Sequence, residues 1–150
     1  MTISSSFFTF LEQWSTFDGN EEDEYLFVNI KMTIQDARSF CEDRTGKLFE
    51  PKDINTAKNV ISLANIVANG PFWLGIDDEA EEGTFVYTSD NTPLDCNQDC
   101  EEWNEGEPDD QAVPSFPGRE DCVIMLENEK WSDVSCRDGT ERPFACERGE

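Results

Sequence analysis

The sequence predicts an α+β domain, because two helical patterns in its first half are followed by several short apolar runs in its second half. Apolar residues recur at helical spacing over 34–46 and again over 54–68. After residue 71 the apolar runs are short and bounded by turn residues, which is typical of strands. The stretch 89–119 has little regular pattern, and a loop of that length in a compact domain is usually functional.

The two helices are defined by start and stop signals. Thr33 is a good N-cap for the first helix, and Gly46 is a plausible C-terminal stop. The second helix is expected to begin near Pro51 or Asp53 and to end before residue 70. The apolar faces are expected to carry Ile34, Ala37 and Cys41 in the first helix, and Ile54, Ala57, Ile61, Ala64 and Ala68 in the second.

The remaining elements are short. Residues 1–24 end in an acidic run and form an extension of uncertain structure before a domain at 25–147. Strands are expected at 25–30, 72–76, 84–88, 122–126 and 144–146.

The charge balance excludes several classes of function. The 150 residues include 34 acidic and 11 basic side chains and no His, which gives a net charge of -23. Such a chain repels phosphate backbones and anionic lipid, so neither nucleic-acid binding nor docking on an anionic membrane is expected. No apolar run approaches the roughly 18 residues of a membrane span, so membrane insertion is not expected either. The missing His removes the commonest general base and zinc ligand.

The acidic residues are concentrated in one segment. Residues 77–133 hold 19 Asp and Glu against only Arg119 and Lys130. A solvated acidic face is the simplest interpretation of such a run. This segment also contains tryptophans and cysteines, which indicates a folded region, and carboxylates folded together favour a hard cation such as Ca2+.

Six cysteines in a small chain favour disulfides and an oxidising, secreted or extracellular location. No His or CxxC pattern completes a zinc site. Residues 1–14 have no basic n-region and make a poor signal peptide. The cysteines alone leave every pairing open.

Five motifs, in order, resemble those of C-type lectin-like domains over roughly residues 25–147. Trp73-Leu74-Gly75-Ile76 is similar to the family's WIGL motif, and residues 103–109 (WNEGEPD) are similar to its WxxGEPN segment. The other three are residues 120–123 (EDCV), 131–136 (WSDVSC) and 143–147 (PFACE).

The resemblance implies an α+β C-type lectin-like fold, with two helices packed on small antiparallel sheets and a long calcium-binding loop. It also implies the disulfides Cys41–Cys146 and Cys122–Cys136, which leaves Cys96–Cys100 as an additional pair.

The resemblance further implies two Ca2+ sites. A cis bond before Pro108 would turn both of its neighbours toward the principal ion. The principal ligands would be Glu107, Asp109, Glu120, Ser132 and Asp133, the auxiliary ligands Asp78, Glu82, Asp110 and Asp121 with Glu120 shared, and the sugar-binding residues Glu107, Asp109, Glu120 and Ser132.

The function implied is a non-enzymatic, calcium-dependent carbohydrate-binding module whose partners are glycans. The resemblance implies a comparison with mannose-type members of the family, which carry Glu-Pro-Asn and later Trp-Asn-Asp. This chain has Asp109 and Ser132 at the two Asn positions. A mannose- or fucose-class or an atypical sugar specificity is therefore expected. The alternatives are a calcium-dependent protein-, mineral- or ice-binding domain of the same fold, and a glycosidase that uses a carboxylate pair.

Overall fold

The computed structural model describes residues 13–17, 20–96, 100–109 and 120–149. Within these ranges two α-helices lie against one connected sheet, which confirms the predicted α+β class. Neither of these two helices is long and apolar enough to cross a membrane.

Helix α1, Ile34–Asp43, follows the predicted pattern at its start. Thr33 is the N-cap, and its hydroxyl oxygen accepts a hydrogen bond from the backbone N–H of Asp36 at 3.2 Å. Ile34, Ala37 and Cys41 are buried, so the predicted apolar face is confirmed.

The end of α1 differs from the prediction. The helix ends at Asp43, and the residue with the left-handed conformation is Thr45 (φ 62°), not Gly46. A Cβ on Gly46 would lie 2.7 Å from the ring of Trp14 and 2.8 Å from the carbonyl oxygen of Glu147. Gly46 still takes part in the helix stop, because its backbone N–H donates to the carbonyl oxygen of Cys41 at 2.9 Å and that of Thr45 donates to Glu42 at 3.0 Å. Its missing Cβ also leaves room for the Trp14 ring and for the backbone of Glu147.

Helix α2, Ile54–Val67, is capped by Asp53, whose carboxylate accepts a hydrogen bond from the backbone N–H of Thr56 at 2.8 Å. The prediction that Ile54 lies on the buried face is wrong: this first residue of the helix borders a surface groove and is 46% exposed. Val60 is buried and was not assigned to the apolar face. The other buried residues of α2 were predicted: Ala57, Ile61 and Ala64.

The sheet has nine strands in the described part of the chain. All five expected strands are present with shifted ends, and four more are so short that they show little periodicity. The strands are β1 (Ser15–Phe17), β2 (Asn20–Met32), β3 (Lys47–Leu48), β4 (Phe72–Asp77), β5 (Val86–Tyr87), β6 (Thr92–Pro93), β7 (Cys122–Met125), β8 (Trp131–Val134) and β9 (Arg142–Arg148).

The strands follow the order β1-β2-β9-β4-β5-β6, with β3 paired to β9, β7 to β4 and β8 to β7. Strand β2 crosses residue 25, where the sequence placed the start of the domain. The pairs are antiparallel, except that Trp73 of β4 pairs in parallel with Phe144 of β9. This pair joins the strands near the chain ends to those that carry the long loop.

Two buried apolar clusters stabilise this arrangement, one of them formed between α2 and the sheet and the other around α1 and β9. Disulfides reinforce both the ends of the domain and the loop region. The bridges join Cys41 to Cys146, Cys96 to Cys100 and Cys122 to Cys136, with Cα–Cα distances of 5.5, 6.2 and 5.3 Å.

Candidate metal centre

The loop that follows Cys100 is held against β8 by two tryptophans. The rings of Trp103 and Trp131 pack edge to face with centroids 5.5 Å apart, and both side chains are buried. The carbonyl oxygen of Trp131 accepts a hydrogen bond from Asn104 at 2.8 Å, and its N–H donates to Glu102 at 2.7 Å. The tryptophans are therefore packing anchors that bring the acidic end of the loop to Asp133 of β8.

The principal cluster forms where these two segments meet. Glu107, Asp109 and Asp133 each offer one carboxylate oxygen, and these oxygens lie within 4.8 Å of one another. The bond between Glu107 and Pro108 is cis. The backbone N–H of Asp109 donates to Oδ1 of Asp133 at 3.0 Å, and the Ser132 hydroxyl donates to Oε2 of Glu107 at 2.7 Å. Four of the five residues expected at the principal site therefore lie together.

The electrostatics of the principal cluster favour a cation. The pKa of Glu107 is raised to about 7, mainly by burial; the hydrogen bond from Ser132 opposes this rise, whereas Asp133 and Asp109 contribute to it. Oε1 of Glu107 is buried and has no hydrogen-bond partner among the described residues. A buried carboxylate oxygen beside two other carboxylates is suited to bind a metal ion.

The auxiliary cluster lies at the end of β4. One oxygen from each of Asp78, Glu82 and Asp121 lies within 4.8 Å of the other two. The backbone N–H of Asp78 donates to the carbonyl oxygen of Asp121 at 3.0 Å, and the N–H of Gly83 donates to Oδ2 of Asp78 at 2.8 Å. Gly83 has a φ of 85°, which favours glycine and turns the loop back toward Asp78.

Asp78 is the most deeply buried acid of this cluster, at 2% exposure. Its pKa is raised to about 8, mainly by burial; the hydrogen bond from Gly83 opposes this rise, and Glu82 and Asp121 contribute to it. Its Oδ1 has no hydrogen-bond partner in the described ranges. This site also fits a cation, because an ionised Asp78 would otherwise face two like charges with little solvent.

One expected ligand is absent from both clusters, and another is not among the described residues. Glu120 is half-buried and directly precedes Asp121, but its carboxylate belongs to neither group of three. Asp110 lies outside the described residues.

Ion pairs between α1 and the segment that begins the auxiliary loop were not expected from the sequence. Arg38 of α1 pairs with Asp77 at 3.0 Å and with Glu79 at 3.3 Å, so it ties the helix to the start of the auxiliary loop. Glu79 also lies near Cys122 and Cys136, but these sulfurs form a disulfide and offer no thiolate to a metal. An isolated Arg on a helix gives no sequence signal for this role.

The ligand set of both clusters indicates a hard cation. The groups available are carboxylate oxygens and one hydroxyl, and the chain has no His. Ca2+ takes six to eight oxygen ligands in a flexible geometry, and the protein oxygens described here would supply part of such a shell.

Known proteins share this chain's sequence pattern. A family model described as the lectin C-type domain matches residues 30–148. Collectin-10 of Homo sapiens is 38% identical over 119 residues, which are 77% of this chain and 39% of that protein. Collectin-11 of Danio rerio is 31% identical over 113 residues, 75% of this chain and 38% of that protein. The chain thus matches well under half the length of these curated relatives.

Solved structures share the fold. The carbohydrate-recognition domain of the mouse scavenger receptor C-type lectin has a TM-score of 0.74 at 26% identity, covering 91% of this chain and 95% of that one. The cow C-type carbohydrate-recognition domain of CD23, solved in the presence of a GlcNAc2Man3 oligosaccharide, has a TM-score of 0.69 at 30% identity. That match covers 93% of this chain and 95% of the CD23 domain.

Proposed function

Because this chain belongs to the C-type lectin domain family, we propose that it is a calcium-dependent carbohydrate-binding domain with no catalytic activity. The observation that carries the proposal is the cluster of Glu107, Asp109 and Asp133, which contains a buried oxygen, Oε1 of Glu107, without a hydrogen-bond partner in the described ranges. Three carboxylates this close repel one another, and a bound cation removes that repulsion and stabilises the folded protein.

The principal ion would be held by the four clustered residues and by Glu120. When bound, Ca2+ would offer coordination positions to two neighbouring hydroxyl groups of a sugar. Asp133 and Ser132 form the buried floor, at 2% and 8% exposure, whereas Asp109 is exposed. Glu107 and Asp109 would therefore accept hydrogen bonds from the sugar, and Ser132 would hold Glu107 in place.

The auxiliary ion would be held by Asp78, Glu82 and Asp121, with Asp110 and Glu120 completing the set. Its role would be structural, because Asp78 and Asp121 are buried. This ion would join the loop after β4 to the segment that enters β7, and both segments flank the long loop.

The relatives support a glycan class and a location for this chain. The CD23 domain was solved in the presence of a mannose-containing oligosaccharide, so mannose- or fucose-class glycans are candidate ligands. The carboxylate of Asp109, which cannot donate a hydrogen bond, favours an atypical preference. The similarity to collectins and the three disulfides support a secreted or extracellular location.

A glycan array probed with and without a calcium chelator tests the proposed function. We expect binding in calcium, loss of binding in chelator, and loss of binding in E107Q. The control is E105Q, which removes one charge from an exposed residue of the same loop. Calcium binding with a blank array would contradict sugar binding and favour a protein or mineral partner. Release of reducing sugar would contradict the absence of catalysis.

A further inference from the structure

The side chains described at the principal cluster are almost all hydrogen-bond acceptors. An ionised carboxylate accepts hydrogen bonds but cannot donate them, and Glu107, Asp109 and Asp133 contribute three carboxylates. Ser132 carries the one donor among these described side chains, and its hydroxyl points at Oε2 of Glu107, 2.7 Å away. The backbone N–H of Asp109 is directed at Asp133. These side chains therefore offer few hydrogen-bond donors to a ligand group that accepts hydrogen bonds.

The exposed side of the cluster carries this acceptor character. Asp133 is 2% exposed and lies on the floor, Glu107 is half-buried, and Asp109 is exposed. A ligand approaching from solvent therefore meets the carboxylate of Asp109 first. At this position a side-chain amide would offer both a donor and an acceptor, whereas the carboxylate offers acceptors alone.

The negative charge of this region also favours ligands that donate hydrogen bonds and carry positive charge. Three carboxylates exceed the charge of one divalent cation, and they lie within a segment of 19 acidic and two basic residues. The field of such a segment attracts cationic ligands. An ammonium group brings three donors and no lone pair, so it satisfies acceptors that a neutral hydroxyl or an acetamide satisfies less well.

We infer that the principal site prefers hexosamines with a free, protonated amine over neutral or N-acetylated hexoses. This inference rests on the proposed function and names the ligand class of the same site. The hydroxyl groups of the sugar approach the bound cation, and the ammonium group on the neighbouring carbon donates to Asp109.

Isothermal titration at neutral pH with saturating calcium tests this preference. The probes are methyl glucosaminide, its N-acetyl derivative and methyl mannoside. Because hydrogen bonds to charged groups are among the stronger ones, we expect the free amine to bind about tenfold more tightly than either other probe. We expect EDTA to abolish its binding. D109N should bring the three affinities close together, whereas E105Q, which removes the same charge from the same loop, should leave the preference intact.

The possible results separate the inference from the proposed function. Equal or tighter calcium-dependent binding of the neutral sugars would overturn the inference and leave the proposed function standing. Amine binding that persists in EDTA would show unspecific attraction to an acidic surface and would overturn the inference as well. If no probe bound while calcium did, and the glycan array were blank, both would be overturned. Melting curves of D109N and E105Q with calcium check that both variants are folded.

Discussion

Ser132 shows how one hydroxyl connects β8 to the long loop. It donates to Glu107 at 2.7 Å across 25 positions of sequence, and its neighbour Asp133 accepts from the backbone of the same loop. We predict that S132A lowers calcium affinity about tenfold, because partners that orient a metal ligand typically contribute 10- to 100-fold. Calorimetric titration with calcium measures this. S135A, which removes another buried hydroxyl beyond the end of β8, is the matched control and should keep the wild-type affinity.

Glu147 on β9 carries a pH dependence unrelated to calcium. Burial raises its pKa from 4.5 to about 7, while the N–H of Glu50 and the charge of Lys47 lower it and the charges of Glu50 and Asp23 raise it. Since the folded-state pKa exceeds the unfolded value, the folded state binds the extra proton, and stability falls as pH rises between these two values. The ionised carboxylate therefore destabilises the folded protein above about pH 7 by at most about 3 kcal/mol.

We predict that E147Q is more stable than wild type at pH 8 and equally stable near pH 4, because the amide oxygen still accepts from Glu50 without carrying a charge. Melting temperatures of both proteins measured across this range check the prediction. A constant difference between them at every pH would show that Glu147 does not titrate in the folded protein as its surroundings require.

The site residues differ in how readily the sequence predicts them. Glu107, Asp109 and Asp133 were expected because each belongs to a motif of contiguous residues, and the structure brings their oxygens together. Arg38 could not be predicted, since its contact with Asp77 bridges 39 positions and depends on how α1 lies against β4. Glu120 stays a prediction, because its carboxylate joins neither cluster.

At the scale of elements, the loop and β8 form one unit through backbone contacts. Asn104 and Trp131 share a hydrogen bond, and the indole N–H of Trp103 donates to the carbonyl oxygen of Cys96 at 3.4 Å. The disulfide between Cys96 and Cys100, which closes a loop of only a few residues, is therefore in contact with Trp103. This bridge stabilises only the segment next to Trp103, whereas the bridge from Cys41 to Cys146 joins α1 to β9 across the domain.

The two bridges are expected to differ in their contribution to stability. Sequence separations of 4 and 105 residues correspond to about 2 and about 5 kcal/mol of unfolded-state entropy. We predict that replacing Cys96 and Cys100 with Ser lowers the free energy of unfolding by less than half as much as replacing Cys41 and Cys146. Denaturant titrations measure both losses. Equal losses would show that loop-closure entropy does not govern the contribution of these bridges.

Elements were predictable where periodicity or caps were strong. The Thr33 cap, the face of α1 and a start of the second helix near Asp53 were expected and are present. Strands β1, β3, β6 and β8 span two to four residues, too few to show alternation, and they exist because neighbouring strands pair with them. Ile54 was assigned to the core because periodicity cannot show that the first turn of α2 lies beside a groove.

At the scale of the whole molecule, the net charge of -23 works against compactness. The described basic residues offset part of it locally, as where Lys47 and Lys52 both pair with the buried Glu50. The two carboxylate clusters lie in the most acidic third of the chain, and each contains a buried oxygen that would gain from a cation. Calcium would therefore act on the fold as well as on ligand binding.

We predict that calcium raises the melting temperature. Free calcium at 100 times its dissociation constant stabilises the folded state by about 2.7 kcal/mol per site, or about 5 to 10 °C for a domain of this size. Melting curves in calcium and in EDTA at matched ionic strength measure the shift.

Magnesium at equal concentration is the control for charge screening, and it should give a smaller shift because it requires a tighter, octahedral shell. E107Q should lose part of the calcium shift and D78N another part, since the two residues belong to separate clusters. Equal shifts with magnesium and calcium would mean that the ions only screen the acidic surface.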